Sequence, residues 1–172
     1  MGIINKQILT KLITDISALG GLPFYCFLII LMFIFKMYIL SLKLFLLLIV
    51  GMLLGILIKI IYSKLRPTKT KDETSLKGLS KIIMKTDRHA FPSVHTLRIT
   101  MISLAMIGVF SDLYMILFFT ILVILVGSSR ILLKQHDIWD VLGGIFFGML
   151  GYITVILLYR FFIILIDKHF AF

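Results

Sequence analysis

The chain is short of charge, of amides and of cysteine. Only 15% of its 172 residues are charged, while 60% are hydrophobic. A soluble domain of this size cannot hide so much apolar surface, and that class is excluded. The mean hydropathy of +1.12 points the same way. Asn5 is the only asparagine, and Gln7 and Gln135 are the only glutamines. Scarce amides suit thermophilic chains, but membrane segments carry few in any case. The single cysteine, Cys26, cannot form an intramolecular disulfide and says nothing about redox compartment. Residues 1–20 lack a compact apolar core with a small-residue cleavage site, so no cleavable signal peptide is expected.

What the chain does have is apolar runs that approach bilayer length, about 20 residues at 1.5 Å rise each. These predict an all-α integral membrane protein, one domain over residues 1–172, with about five transmembrane helices. Residues 3–19 place Ile4, Ile8, Leu12, Ile16 and Leu19 at steps of three or four, with Lys6, Gln7, Lys11 and Asp15 elsewhere. That is the pattern of an amphipathic helix lying in the membrane interface. Gly20, Gly21 and Pro23 break it. Spans are expected over about 22–39, 43–62, 94–110, 113–134 and 138–162, with a link near Ser41 and Lys43 and a polar loop over 63–91. Gly143, Gly144, Gly148 and Gly151 fall on or near one face of the last span, where small residues let helices approach closely. Alternation then brings the end of the second span, the start of the third, the end of the fourth and the start of the fifth to one membrane face. The N-terminal helix lies there too.

The formal net charge is +10, and the basic residues gather between Lys59 and Arg88 and in the first dozen residues. Such basicity suits nucleic acid, anionic lipid or a phosphorylated substrate. Nucleic acid is disfavoured because no soluble domain remains to carry a binding surface.

Three polar clusters occupy the shared face. In the first, Lys59 and Arg66 are seven residues apart and project from one helix face, and Pro67 stops the helix. Two cations there suit an anion with several oxygens, although a snorkelling basic cap would look alike. In the second, Pro92, Ser93, Val94 and His95 open the third span. Ser93 stands at the N-cap position, where backbone N–H groups form an anion site, and His95 is placed to exchange a proton. Plain capping beside an interfacial histidine is the alternative. In the third, Ser129 and Arg130 precede His136, and Asp140 follows four residues later. On a helix that step puts His136 and Asp140 on one face. The aspartate would then hold one ring nitrogen, fix the tautomer and leave the other to attack. A structural pair is the competing reading.

Taken together, the clusters resemble the three-part signature of the type 2 phosphatidic acid phosphatases, which share a site with vanadium-dependent haloperoxidases. Lys59, Arg66 and Pro67 fit the first part, Pro92, Ser93 and His95 the second, and Ser129, Arg130, His136 and Asp140 the third. One departure is Val94, where the family usually has glycine. Valine still offers its backbone N–H but adds bulk beside the pocket.

The resemblance implies a metal-independent lipid phosphatase with no cofactor. His136 would form a phosphohistidine, Asp140 would orient it, and His95 would act as acid and then base. Lys59, Arg66, Ser93, Val94 and Arg130 would bind phosphate. Apart from the resemblance, Arg98, one turn beyond His95, is a candidate substrate contact with a structural partner as the alternative, and His89 is a candidate at the pocket mouth with a plain loop residue as the alternative. The partners implied are a phosphorylated lipid and the membrane, with no obligatory protein partner.

A bacterial envelope lipid is expected as substrate, of the undecaprenyl diphosphate, lipid A 1-phosphate or phosphatidylglycerophosphate type. The alternative is a non-catalytic scaffold or transporter with basic helix-end anchors. A metal site built from His89, His95, His136 and Asp140 lacks a zincin-type motif and leaves the cations unexplained. Orientation is a conflict. Outside the motifs the site face carries about ten Lys/Arg against about four opposite, which favours the cytoplasm. The family resemblance favours the outer side of the inner (plasma) membrane, the periplasm or exterior, and that is the expectation adopted.

Overall fold

The computed structural model describes residues 2–62 and 89–170, with side chains over 6–62 and 89–161. Among these residues the elements are helices: α1 Gly2–Ala18, α2 Leu22–Ile34, α3 Tyr38–Tyr62, α4 Val94–Phe110, α5 Leu113–Leu132 and α6 Ile138–Phe170. Most of the expected polar loop, including Arg66 and Pro67, lies outside the described residues.

Three stretches are long and apolar enough to cross a bilayer: Tyr38–Tyr62, Leu113–Leu132 and Ile138–Phe161. The bent pair Lys6–Ala18 and Leu22–Ile34, joined at 51°, passes the same test as one unit. α4 is also apolar but shorter, at 17 residues. The protein is an all-α membrane protein.

The corner between α1 and α2 falls at the predicted glycines, and the backbone of Gly20 lies against the second residue of α4. A Cβ on Gly20 would come 2.7 Å from the carbonyl oxygen of His95. The next turn comes earlier than hydropathy suggested. α2 stops at Ile34, and Lys36 takes a left-handed φ of 60° before α3 opens at Tyr38. The polar residues that marked the link, Ser41 and Lys43, are instead inside α3. Ser41 donates to the carbonyl of Ile29 on α2 at 2.9 Å, and Lys43 Nζ lies 3.4 Å from the Tyr152 hydroxyl on α6. Tertiary contacts satisfy them, so they carry no turn signal.

α4 is the centre of the bundle. It buries residues on every side, among them Thr96, Leu97, Ile99, Met101 and Ala105, and it packs against α3, α5 and α6. A helix apolar all round belongs in an interior. Its closest neighbour is α6, through the expected glycine seam. A Cβ on Gly144 would fall 2.6 Å from the carbonyl of Ser93, and one on Gly148 would fall 2.9 Å from that of Leu97. Large apolar side chains such as Phe27, Leu53, Phe118 and Phe146 face outward, as a lipid-facing surface requires.

Candidate active site

Because the helices alternate, the end of α3, the start of α4, the end of α5 and the start of α6 meet at one end of the bundle, and the end of α1 reaches the same place. Lys59 lies in the last turn of α3, 5% exposed. Ser93 is the N-cap of α4 and fully buried. Its hydroxyl makes no capping bond and instead accepts from Thr96 Oγ1 at 3.0 Å. Val94, the first helical residue, is half-buried and faces α3, with Cγ2 3.5 Å from where a Gly55 Cβ would stand. The glycine on α3 accommodates the extra bulk. His95 follows, half-buried.

Arg130 closes α5 and is 5% exposed. Its Nη1 donates to Ser17 Oγ of α1 at 2.6 Å, and its Nη2 donates to the side-chain oxygen of Gln135. Its carbonyl accepts from the backbone N–H groups of Gln135 at 3.1 Å and His136 at 3.3 Å. Arg130 thus braces the loop that carries the candidate nucleophile.

His136 is buried in that loop, and its Nδ1 lies 3.5 Å from Asp140 Oδ2. Asp140 is held from three directions. Its Oδ2 accepts from the Asp137 N–H at 3.1 Å, while Asp137 Oδ1 accepts from the Asp140 N–H at 2.9 Å. This reciprocal capping box starts α6. The Asp140 carbonyl accepts from the Ser93 N–H at 2.9 Å, which ties α6 to α4.

Of the residues singled out in the sequence, Lys59, Ser93, Val94, His95, Arg130, His136 and Asp140 gather at this end. Arg66 falls outside the described residues. Arg98 lies one turn along α4, half-buried, and its buried Nε has no hydrogen-bond partner among the described residues. His89 is 8% exposed, and its Nδ1 is likewise buried with no hydrogen-bond partner among the described residues. Ser17, Gln135 and Asp137 were not foreseen. The Asp137–Asp140 spacing before an apolar run is a readable capping signature. Nothing local marks Ser17, because its bond to Arg130 spans 113 residues.

Beside the motifs an apolar groove of about 610 Å³ opens between α3 and α6, lined by Tyr62, Phe91, Trp139, Leu142, Phe146 and Phe147 among others. Among the described residues, no group of three or more His, Cys, Asp or Glu is placed to hold a metal ion.

These features define a polytopic α-helical membrane protein with buried cations, two histidines and an aspartate at one membrane face, a set suited to phosphoryl chemistry. The model of the PAP2 superfamily matches residues 40–164. The chain belongs to that superfamily, and it is a phosphatase that hydrolyses phosphate esters. No curated protein and no solved structure matches it.

Proposed function

We propose that the protein is a metal-independent lipid phosphatase of the bacterial envelope, working through a phosphohistidine at the outer face of the inner membrane. The observation that carries this reading is the buried His136–Asp140 pair at 3.5 Å, set among Lys59, His95 and Arg130.

The carboxylate orients the imidazole through Nδ1 and stabilises the positive charge that builds as the other nitrogen attacks phosphorus. His95 protonates the leaving oxygen and then activates the water that releases phosphate. Lys59 and Arg130, with Arg66 from the first motif and the backbone N–H groups at the start of α4, hold the equatorial oxygens. Fixed cations there take the neutralising role that magnesium has in other phosphoryl transfers. The aromatic groove beside the motifs supports an apolar substrate. Envelope lipids of the undecaprenyl diphosphate, lipid A 1-phosphate or phosphatidylglycerophosphate type fit this chemistry.

The test is phosphate release from those lipids and phosphatidate by purified protein in detergent and EDTA, against His136→Ala. Release that survives chelation and disappears in the mutant is expected, with acid-labile phosphate trapped on His136. Activity retained by His136→Ala would overturn the assignment of the nucleophile. Activity abolished by EDTA and restored by a divalent ion would overturn the metal-free mechanism.

A further inference from the structure

A second cavity, of about 750 Å³, opens at the end of the bundle away from the motifs. It is bounded by the α2–α3 turn, the start of α3, the end of α4 and the second half of α6. Along α3, Lys43 of this cavity stands about 24 Å from Lys59, at about 1.5 Å per residue. The cavity is therefore too far away to take part in the chemistry described above.

Its lining is basic. Lys36, Lys43, Arg160 and Lys168 are the Lys/Arg that the topology puts at this end, and the first three line this one cavity. Among the described residues no carboxylate lines it. Asp112, in the turn after α4, is occupied as the N-cap of α5, where it accepts from the Met115 N–H at 2.9 Å. Cations at helix ends commonly snorkel to the membrane surface, and the exposed Lys36 and Arg160 fit that habit. Lys43 does not. It is half-buried in the second turn of α3, with Nζ 3.4 Å from the Tyr152 hydroxyl and 5.0 Å from the centre of that ring. The hydroxyl rests on bare backbone of α4: a Cβ on Gly108 would come 2.8 Å from it and 3.9 Å from Nζ. An ammonium held inward in this way has three donors, and Tyr152 takes one. Intramembrane cations of this kind ordinarily face a counter-charge. The rest of the wall is apolar, with Met37, Leu40, Val155 and Ile156, and the exposed Tyr38 and Tyr159 also line it. Tyrosines gather at head-group level in a bilayer. Cations, tyrosines and an apolar wall together match an anionic head group carried on an acyl chain.

We propose that this cavity binds an anionic phospholipid of the leaflet opposite the candidate active site. Its phosphate sits among Lys36, Lys43 and Arg160, and its chain lies along the apolar wall. Basic pockets between membrane helices take such head groups. The lipid is a resident and not a substrate, so the site does not depend on what the other end of the bundle hydrolyses. Because it joins α3, α4 and α6, its binding stabilises the folded bundle.

The experiment is the melting temperature of the purified full-length protein in a neutral detergent. Three probes are titrated: phosphatidylglycerol, phosphatidylcholine with the same chains, and the deacylated glycerophosphoglycerol head group. Both lipids are phosphodiesters without a terminal phosphate, so the readout is binding and not turnover. In wild type, phosphatidylglycerol should raise the melting temperature more than phosphatidylcholine does, and the head group alone should not. Lys43→Gln should raise the half-saturating phosphatidylglycerol concentration by about tenfold, the scale of one charge-assisted hydrogen bond. The combined Lys36→Gln, Lys43→Gln and Arg160→Gln variant should lose the preference. Lys134→Gln, which removes the same charge at the other end, should behave as wild type. If Lys43→Gln does not fold, Lys36→Gln and Arg160→Gln, both at exposed side chains, carry the same reading. Equal shifts from the two lipids in wild type would reduce the cavity to ordinary lipid contact and overturn the site. A shift from the head group alone that matches the lipid's would overturn the lipid as occupant. A preference kept by the combined variant, or lost equally in Lys134→Gln, would overturn the location.

Discussion

At the scale of single residues, the site depends on oxygens that already have structural work. Asp140 faces His136 with the same Oδ2 that accepts the Asp137 N–H. Asp140→Asn keeps the acceptor and the shape but removes the charge. It should lower kcat by a factor on the order of 10² or more with little change in KM, since the lost interaction develops in the transition state. A parallel loss in KM would argue that the carboxylate binds substrate. Asp137→Ala removes the other half of the box and should destabilise the protein by about 1 kcal/mol, read as a lower detergent melting temperature. Ser17→Ala takes one acceptor from the Arg130 guanidinium. It should cost roughly tenfold to a hundredfold in kcat/KM, because a bond to a charged group contributes about 1.5–3 kcal/mol. Unchanged kinetics would mean that the arginine is oriented without Ser17.

Among the elements, the α4–α6 seam sets the distance between His95 and His136. Gly144 allows the contact, and a methyl group there would meet the Ser93 carbonyl at 2.6 Å. Backbone cannot yield as a flexible side chain does. Gly144→Ala should therefore cost about 1–3 kcal/mol and separate Ser93 from Asp140, with activity falling further than stability alone explains. A variant with wild-type melting and turnover would show that the seam tolerates spreading. This seam was legible in the sequence, because glycines repeat along one face of an apolar span. The α1–α2 corner was also legible, from Gly20, Gly21 and Pro23. The turn at Phe35–Met37 was not, because apolar residues run on both sides of Lys36 and no glycine or proline marks the break. Ser41 and Lys43 misled for a physical reason: each polar group has a partner on another helix. The candidate residues that gather at one end of α3–α6 were picked out by motif spacing, whereas Ser17 entered only through a contact between distant parts of the chain.

For the whole molecule, topology decides which compartment the site serves. The proposed outward orientation predicts opposite labelling of the two ends. On a Cys26→Ser background, Lys134→Cys in the turn between α5 and α6 should react with an impermeant maleimide in intact cells. Ser111→Cys, in the turn after α4, should react only after lysis. The reverse pattern would place the site in the cytoplasm, as the basic residues around it suggest. The family match begins at residue 40, yet Arg130 takes an acceptor from Ser17 and His95 rests on Gly20. The matched region is therefore not a transplantable module: a chimera that exchanged residues 1–39 for a relative's would import a new floor beneath His95 and a new anchor for Arg130 along with its new N-terminus.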